Sequence, residues 1–318
     1  MKNILVTSKD LKKNNWEAIE KLLTENQIQA IFNESPKAMS AEDICSVCLK
    51  IKIEGIVVYS SSDEINSKVF ENCKDLKVVS RHGVGIENID AKAAQEHGVQ
   101  VRTTKDLYDY ETVADLAFGL MLCSARKITR MDRALRGKNW LREDGNDVWG
   151  KTLGIVGLGR IGKALARRAS GFKMKVLSYD PYIKSLLKEN GIEMVDFNRL
   201  LRESDFISLH MPLTKETYHI IDKDQLALMK ETAYLINAAR ADLINQEALL
   251  DALKDRKIAG AAVDVYSAEP AVKDPLIEAN LSNLVYTPHV GSYTIENLKQ
   301  MDYAVFKNAV DVITKKNM

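Results

Sequence analysis

Short apolar runs rich in β-branched residues alternate along the chain with longer segments of helical periodicity. This alternation is typical of parallel sheets built from strand–helix–strand units. It predicts a first series of strands at 4–7, 28–32, 55–59, 77–80 and 99–103, and a second series at 152–156, 175–179, 206–209, 233–237, 259–263 and 283–286. The second series has the six strands of a complete dinucleotide-binding fold. The predicted fold class is therefore α/β.

Two longer helices frame the second series. Residues 111–127 are predicted as one helix, more apolar than a surface helix needs, which favours contact with a partner subunit or, alternatively, a place in the core. Residues 295–314 follow the last strand and are predicted as a helix long enough to return to the first sheet.

Composition excludes several classes of function. The 318 residues suffice for two domains, and 45 Lys and Arg against 44 Asp and Glu give no electrostatic reason to expect nucleic acid or a membrane surface as a partner. The N-terminal apolar stretch is too short for a signal peptide, and the apolar run at 116–123 is only eight residues long. These features predict a cytoplasmic protein with a small substrate.

The cysteines give a weak signal. Cys45 and Cys48 form a C-x-x-C spacing, but the other two, Cys73 and Cys123, do not complete a second ligand pair. We therefore predict reduced thiols, a buried helix face for Cys45 and Cys48, and no metal.

The strongest local motif is an apolar strand that leads into G-x-G-x-x-G and then a helix, at residues 152–162. Gly157 allows the tight turn, Gly159 lets the backbone approach a pyrophosphate, and Gly162 permits close packing of helix on strand. The amide groups of Arg160 and Ile161, at the start of the helix, are expected to bind the anion.

Asp180 ends the next strand, eighteen residues after Gly162, where an acid is expected to bind the adenosine ribose hydroxyls. A carboxylate there repels the extra phosphate of NADP, and Pro181 and Tyr182 follow it instead of basic residues. The predicted cofactor is therefore NAD. The structural alternative for Asp180 is a turn-forming Asp-Pro pair.

Three further segments each follow a strand of the second series: 237–241, 264–270 and 287–291. Ligands of open α/β sheets bind at the carboxyl ends of the strands, so Arg240, Glu269 and His289 are expected to converge there. Reduction of a 2-oxo acid needs a proton donor, a cation for the substrate carboxylate and a group that tunes the donor. His289, Arg240 and Glu269 fit these roles, although each taken alone also fits an ordinary surface or loop position.

The order of these motifs, together with 81–90 and 209–214, resembles the D-isomer-specific 2-hydroxyacid dehydrogenase family over nearly the whole chain. The resemblance implies that Arg240, Glu269 and His289 are catalytic and that Asp264 lies near the nicotinamide carboxamide. It also implies substrate contacts from the backbone of Val84 and Gly85. Further residues expected at the cofactor are His210, Pro212 and Ala238. Further residues expected at the substrate are Tyr59, Arg81, His82 and Gly83.

The same resemblance implies two doubly wound Rossmann-like domains with parallel sheets. The substrate-binding domain is expected to be flavodoxin-like and discontinuous, at 1–104 and 288–318, and the NAD-binding Rossmann domain is expected at 105–287. A homodimer is implied as well, consistent with the apolar helix at 111–127.

Departures from the family pattern bear on the substrate. Tyr59 stands at a position where the phosphoglycerate-type enzymes of the family share an Arg that binds phosphate. Arg81 does match a second basic position of those enzymes. Ala241 and Glu87 replace a usual Gly and Asp, and Glu269 replaces the Gln of formate-type relatives. Hydroxypyruvate or glyoxylate is therefore the expected 2-oxo acid, with phosphoglycerate dehydrogenase as the alternative. A non-catalytic, corepressor-like NAD sensor is the alternative from another class.

Overall fold

The computed structural model describes residues 2–104, 109–183, 188–189 and 191–315. The chain divides into two compact units, unit 1 at 1–109 with 293–318 and unit 2 at 110–292. The domain boundaries expected from the sequence, after residues 104 and 287, lie a few residues before the boundaries of the two units, which fall after residues 109 and 292. His289 consequently belongs to unit 2, the unit that also contains Glu269.

Unit 1 is built on a five-stranded parallel sheet with the order β2-β1-β3-β4-β5. This order is that of flavodoxin-like folds. The five strands predicted for this part of the chain are all present, with ends shifted by at most two residues. They are β1 (Lys2–Val6), β2 (Ile28–Phe32), β3 (Gly55–Val58), β4 (Val78–Arg81) and β5 (Gln100–Thr103).

Helices cover both faces of this sheet. One face packs against α2, α3 and α4, and the other packs against α1 and the C-terminal helix. Their bounds are α1 (Trp16–Glu25), α2 (Ala41–Cys48), α3 (Ser67–Asn72), α4 (Ala91–Glu96) and the C-terminal helix (Ile295–Thr314), with a short 3-10 helix at Lys9–Lys12.

The C-terminal helix is an integral part of unit 1. It runs over the predicted range and packs on β3, β4 and β5. Val305, Phe306 and Val310 are buried against the sheet, and the hydroxyl of Ser80 on β4 donates a 2.7 Å hydrogen bond to the carbonyl of Val305. The prediction that the first domain is discontinuous is confirmed.

Unit 2 is built on an eight-stranded sheet with the order β13-β12-β11-β10-β6-β7-β9-β8, parallel except for β8. The six predicted strands are present, and β8 and β9, which are only two and three residues long, were not predicted. The strands are β6 (Thr152–Val156), β7 (Lys175–Tyr179), β8 (Lys188–Glu189), β9 (Ile192–Met194), β10 (Phe206–Leu209), β11 (Tyr234–Asn237), β12 (Gly260–Val263) and β13 (Leu284–Tyr286).

The prediction of a single helix at 111–127 is wrong at its C-terminal end. The first helix stops at Ala125, Lys127 adopts a left-handed φ of 51°, and a second helix begins at Ile128. Ala114, Ala117 and Met121 are buried in the core of unit 2, which accounts for the apolar pattern on that face. The helices of unit 2 are α5 (Asp109–Ala125), α6 (Ile128–Arg136), α7 (Arg160–Gly171), α8 (Phe197–Glu203), α9 (Lys223–Leu228), α10 (Gln246–Lys254) and α11 (Pro275–Glu278), with a 3-10 helix at Ala241–Leu243.

A disulfide joins Cys48 to Cys73, so the prediction of reduced thiols is wrong for this pair. The packing of α2 on α3 brings the two Cα atoms to 5.3 Å across 25 residues of sequence, a proximity that spacing does not reveal. Cys45 and Cys123 are free, and Cys45 is buried as predicted.

No helix in the described part of the chain is both long enough and apolar enough to cross a membrane. Within the same residues, His, Cys, Asp and Glu side chains form no cluster suited to a metal ion.

We expect Phe306→Ala to lower the free energy of unfolding of unit 1 by about 3–5 kcal/mol, the cost of emptying a buried aromatic site. Trp16 packs edge-on against Phe306, with ring centroids 6.1 Å apart, and can report the transition in urea. A Trp140→Phe/Trp149→Phe background leaves Trp16 as the one remaining tryptophan of three.

The matched control is Lys299→Ala, an exposed position on the same helix, which should change the free energy by less than about 0.5 kcal/mol. Equal, small changes in the free energy of unfolding for both substitutions would contradict the packing of this helix on the sheet of unit 1.

Candidate active site

An imidazole and a carboxylate pair at the carboxyl edge of the unit 2 sheet. Nδ1 of His289, after β13, lies 2.8 and 2.9 Å from the two carboxylate oxygens of Glu269, after β12. This hydrogen bond is the main cause of the raised pKa of His289, with burial opposing it. Burial alone would raise the pKa of Glu269, but the hydrogen bond and charge of His289 hold it below its usual value. An ionised Glu269 fixes the proton on Nδ1 and leaves Nε2 for a ligand.

The loop that carries His289 is anchored by a buried carboxylate. Asp264 is 1 % exposed and accepts hydrogen bonds from the hydroxyl of Thr287 at 2.5 Å and from the amides of Val290 and Gly291 at 2.9 Å. Burial raises the pKa of Asp264, and these bonds oppose the rise. His289 itself has a left-handed φ of 52°, an uncommon conformation for a residue with a side chain, so its backbone needs such an anchor.

A second link joins the two loops. The hydroxyl of Tyr266 donates a 2.9 Å hydrogen bond to the carbonyl of Thr287, and its amide lies 3.4 Å from Oε1 of Glu269. The pKa of the Tyr266 hydroxyl is raised, chiefly by burial, so it stays protonated and remains a donor. Tyr266 and Thr287 were not singled out from the sequence, because their role depends on the contact between two loops.

Arg240 follows β11 and acts on both members of the pair. Its positive charge lowers the pKa of Glu269 and that of His289. The side-chain amide of Asn237 donates a 2.8 Å hydrogen bond to the carbonyl of Arg240 and accepts one from the amide of Ala239 at 3.1 Å, which shapes the turn. The structure therefore brings the three predicted catalytic residues together at one edge of unit 2.

The glycine motif lies at the same edge, between β6 and α7. Gly157 has a φ of 99°, and a Cβ atom on it would lie 2.7 Å from the carbonyl oxygen of His210. A Cβ atom on Gly162 would collide with the carbonyl of Gly157. Gly159, the N-cap residue of α7, differs because a Cβ atom on it would face open space. The amides of Arg160 and Ile161, in the first turn of α7, fit the pyrophosphate of a dinucleotide.

Asp180 directly follows β7 and closes the turn of the motif. Its carboxylate accepts hydrogen bonds from the amides of Leu158 and Tyr182, both at 2.9 Å. The bond to Leu158 places an acceptor beside the glycine motif, which fits a ribose diol. The bond to Tyr182 belongs to the Asp-Pro turn, so the cofactor position and the turn coexist at this residue.

His210, Pro212 and Ala238 lie at the ends of β10 and β11. Nε2 of His210 is 2.8 Å from the hydroxyl of Ser208, and burial lowers the pKa of His210 to about 4, so the ring is neutral near pH 7. Its place is consistent with shaping the cofactor loop. The carbonyl of Pro212 accepts a 2.7 Å hydrogen bond from Thr217, and Ala238 directly follows β11.

The predicted substrate residues form a separate group in unit 1. Arg81 is buried, and its guanidinium donates to the carbonyls of Val58 and His82. His82 is 7 % exposed, with Nε2 2.9 Å from a carboxylate oxygen of Asp302 on the C-terminal helix. Both side chains therefore make their hydrogen bonds within the interior of unit 1.

The other members of this group are more accessible. Val84 is exposed, and Gly83, with a φ of 119°, donates its amide to the hydroxyl of Thr104 at 3.0 Å. Gly85 is partly exposed. The hydroxyl of Tyr59 lies 3.3 Å from that of Tyr293, and the pKa of Tyr59 is raised, mainly by burial.

Asp63 is a positioning residue that sequence reasoning missed. It is buried, and its carboxylate accepts hydrogen bonds from the hydroxyl of Thr7 at 2.6 Å and from the amides of Met39 at 2.8 Å and Ser60 at 3.0 Å. It fixes the loop that follows Tyr59. An acid in a Ser-rich turn looks solvated in the sequence, and only the packing of three segments reveals its burial.

A dinucleotide-binding sheet with a paired imidazole and carboxylate at its carboxyl edge defines a nicotinamide-dependent dehydrogenase. Residues 118–291 match the model of the D-isomer specific 2-hydroxyacid dehydrogenase, NAD binding domain. The chain belongs to this family, and its cofactor is NAD, as predicted.

Relatives share most of the chain. A glyoxylate reductase of Korarchaeum cryptofilum is 44 % identical over 257 residues, 78 % of this chain and 76 % of the relative. A D-3-phosphoglycerate dehydrogenase of Methanocaldococcus jannaschii is 44 % identical over 254 residues, 79 % of this chain but 48 % of that relative, so the matched part is about half of its length. The apo structure of D-lactate dehydrogenase from Escherichia coli superposes with a TM-score of 0.85 at 30 % identity, covering 100 % of this chain and 98 % of the other.

We expect Glu269→Gln to lower the pKa of His289, because the substitution removes the charge and the strongest hydrogen-bond acceptor of the imidazolium. NMR titration of the histidine ring signals can measure this, since the chain has five histidines. The other four serve as internal controls. An unchanged pKa of His289 would show that Glu269 does not tune it.

We expect Asp180→Asn to reduce the preference for NADH over NADPH by about tenfold or more, because the amide cannot accept both ribose hydroxyls and no longer repels a phosphate. Dissociation constants of both cofactors from fluorescence titration give the ratio. Asp224→Asn, at an exposed acid on α9, is the control. An unchanged ratio would place the ribose elsewhere.

Proposed function

We propose that the protein reduces a small, unphosphorylated 2-oxo acid to its D-2-hydroxy acid, with glyoxylate or hydroxypyruvate as the preferred substrate. The observation that carries the proposal is the His289–Glu269 pair, which lies within the electrostatic influence of Arg240 at the edge that carries the glycine motif.

Arg240, His289 and Glu269 each have a defined task in this reaction. The bound cofactor supplies the hydride to C2 of the acid. Arg240 binds the carboxylate and the carbonyl oxygen, which aligns the acid and stabilises negative charge on that oxygen. Nε2 of His289 donates the proton to the same oxygen, and Glu269 keeps the ring charged by raising its pKa.

The pH dependence follows from this assignment. Reduction needs the imidazolium, so its rate is full below the pKa of His289 and declines as the pH rises through it. Oxidation needs the neutral ring and shows the opposite dependence. The raised pKa extends reduction toward higher pH.

The lack of a cation at position 59 supports an unphosphorylated substrate. Tyr59 offers a neutral hydroxyl, and the guanidinium of Arg81 is buried and bonded to backbone carbonyls. The glyoxylate reductases among the relatives agree with a small substrate. The relative named D-3-phosphoglycerate dehydrogenase keeps the phosphorylated acid as the competing candidate.

We also propose a homodimer formed through unit 2. Apolar side chains are exposed in the segment around and after α6, where a partner subunit would cover them. They are Ile128, Leu135, Trp140 and Trp149.

The test is NADH oxidation at 340 nm with glyoxylate, hydroxypyruvate, pyruvate and phosphohydroxypyruvate. We expect turnover of glyoxylate or hydroxypyruvate, with kcat/KM at least about tenfold above that of phosphohydroxypyruvate. The phosphorylated acid is disfavoured because its phosphate lacks one charged contact, that with a cation at position 59. His289→Ala should lower kcat by about 100-fold or more, the usual contribution of a general acid.

Arg202→Gln, an exposed position on α8, serves as the control and should turn over like the unmodified protein. Faster turnover of the phosphorylated acid would contradict the substrate assignment. Tight NADH binding without turnover of any acid would contradict the enzymatic role and favour an NAD-sensing protein that acts through partners.

A further inference from the structure

A cavity lies at the edge of the unit 2 sheet opposite the catalytic pair. It is lined at the amino ends of three strands, by Tyr234 at the start of β11, Ala259 just before β12, and Ser282 and Asn283 just before β13. Arg240, Asp264 and Thr287 follow the other ends of the same strands. Strands of this length separate the two edges by roughly 10–13 Å, so the cavity is a different site.

The side chains that line this cavity are cationic or neutral. Lys127, Arg130 and Arg256 contribute positive charge, and no acidic residue lines the cavity within the described part of the chain. Glu143, nearby, is ion-paired with Lys127 at 3.4 Å and with Arg130 at 2.5 Å. One carboxylate among three cations leaves a positive surplus, and the guanidinium of Arg256 has no ion-pair partner among the described residues.

A buried hydroxyl without a partner points to a ligand. Ser124, on α5, is 7 % exposed, and its Oγ atom has no hydrogen-bond partner among the described residues although it lines the cavity. A buried hydroxyl without a hydrogen-bond partner carries a free-energy cost, so such groups usually bind something. An anion that accepts its proton would remove that cost.

The start of α6 supplies further donors. Lys127 caps this nine-residue helix without a side-chain hydrogen bond, and no acidic residue lies in its first turn. Thr129 and Arg130, in that turn, both line the cavity. Free amides and the positive end of the helix dipole favour an anion there.

We propose that this cavity binds a small tetrahedral oxyanion of the phosphate type, held by Ser124, Lys127, Arg130, Arg256 and the first turn of α6. The cavity volume of 40 Å³ is of the order of three water molecules, which suits a small free oxyanion. We name this the α6 anion site. It is independent of the reaction proposed above.

The test is isothermal titration of the full chain with inorganic phosphate at constant ionic strength, with saturating NAD⁺ so that the pyrophosphate position at the glycine motif is filled. We expect one saturable binding event whose affinity falls about tenfold or more in Arg256→Gln, the usual effect of losing a charged hydrogen-bond donor. Arg256 has a left-handed φ of 57°, which Gln tolerates as well as Arg does.

Ser124→Ala is the second variant, since it removes the hydroxyl and keeps a small side chain; we expect a weaker but measurable loss of affinity. Arg202→Gln removes a positive charge from α8 and is the matched control, which should bind phosphate like the unmodified protein. NADH affinity in each variant checks that unit 2 is folded.

Equal phosphate affinity in the unmodified protein, Arg256→Gln and Arg202→Gln would overturn the proposal, because binding would then occur elsewhere. Absence of saturable binding in the unmodified protein would overturn it as well. Loss in Arg256→Gln together with retention in Arg202→Gln would locate phosphate at the α6 anion site.

Discussion

The catalytic edge of unit 2 depends on one buried carboxylate, that of Asp264. Its two oxygens accept three hydrogen bonds from the segment 287–291, which carries His289 in a left-handed conformation. Together with the hydrogen bond from Tyr266 to the carbonyl of Thr287, these bonds fix the loop after β13 relative to the loop after β12. The His289–Glu269 hydrogen bond and the raised pKa of the imidazole both depend on this junction of the two loops.

The parallel sheet explains why so many polar groups meet at one edge. Because β6, β10, β11, β12 and β13 run in the same direction, the loops after them emerge side by side. The close approach of Gly157 to the carbonyl of His210 ties the glycine motif to the loop after β10. The opposite edge of the same sheet collects the amino ends of the strands, where cations and a buried hydroxyl surround the α6 anion site.

Unit 1 uses buried polar contacts for a different purpose. Asp63 and Asp302 each bind groups that are distant in sequence, Asp63 at Thr7 and Asp302 at His82 and Asn14. These contacts hold the carboxyl ends of the strands and the C-terminal helix in one arrangement. Arg81 and His82, which a motif-based view assigns to substrate, are engaged in this internal network, and the accessible part of the motif is the backbone from Gly83 onward.

The sequence by itself determined the two parallel sheets, the return of the C-terminal helix and the positions of the glycine motif, Arg240, Glu269 and His289. Local patterns suffice for these features, because apolar periodicity specifies strands and helices and each motif lies in a single loop. Only the tertiary structure decided which side chains face one another across loops: Asp264 with Thr287, Asp63 with Thr7, Cys48 with Cys73 and His82 with Asp302. The break between α5 and α6 and the strands β8 and β9 also escaped prediction, because two or three residues are too short a segment to show a periodicity of their own. Contacts between distant segments depend on the packing of the whole unit, and no local pattern in one segment records its partner in another.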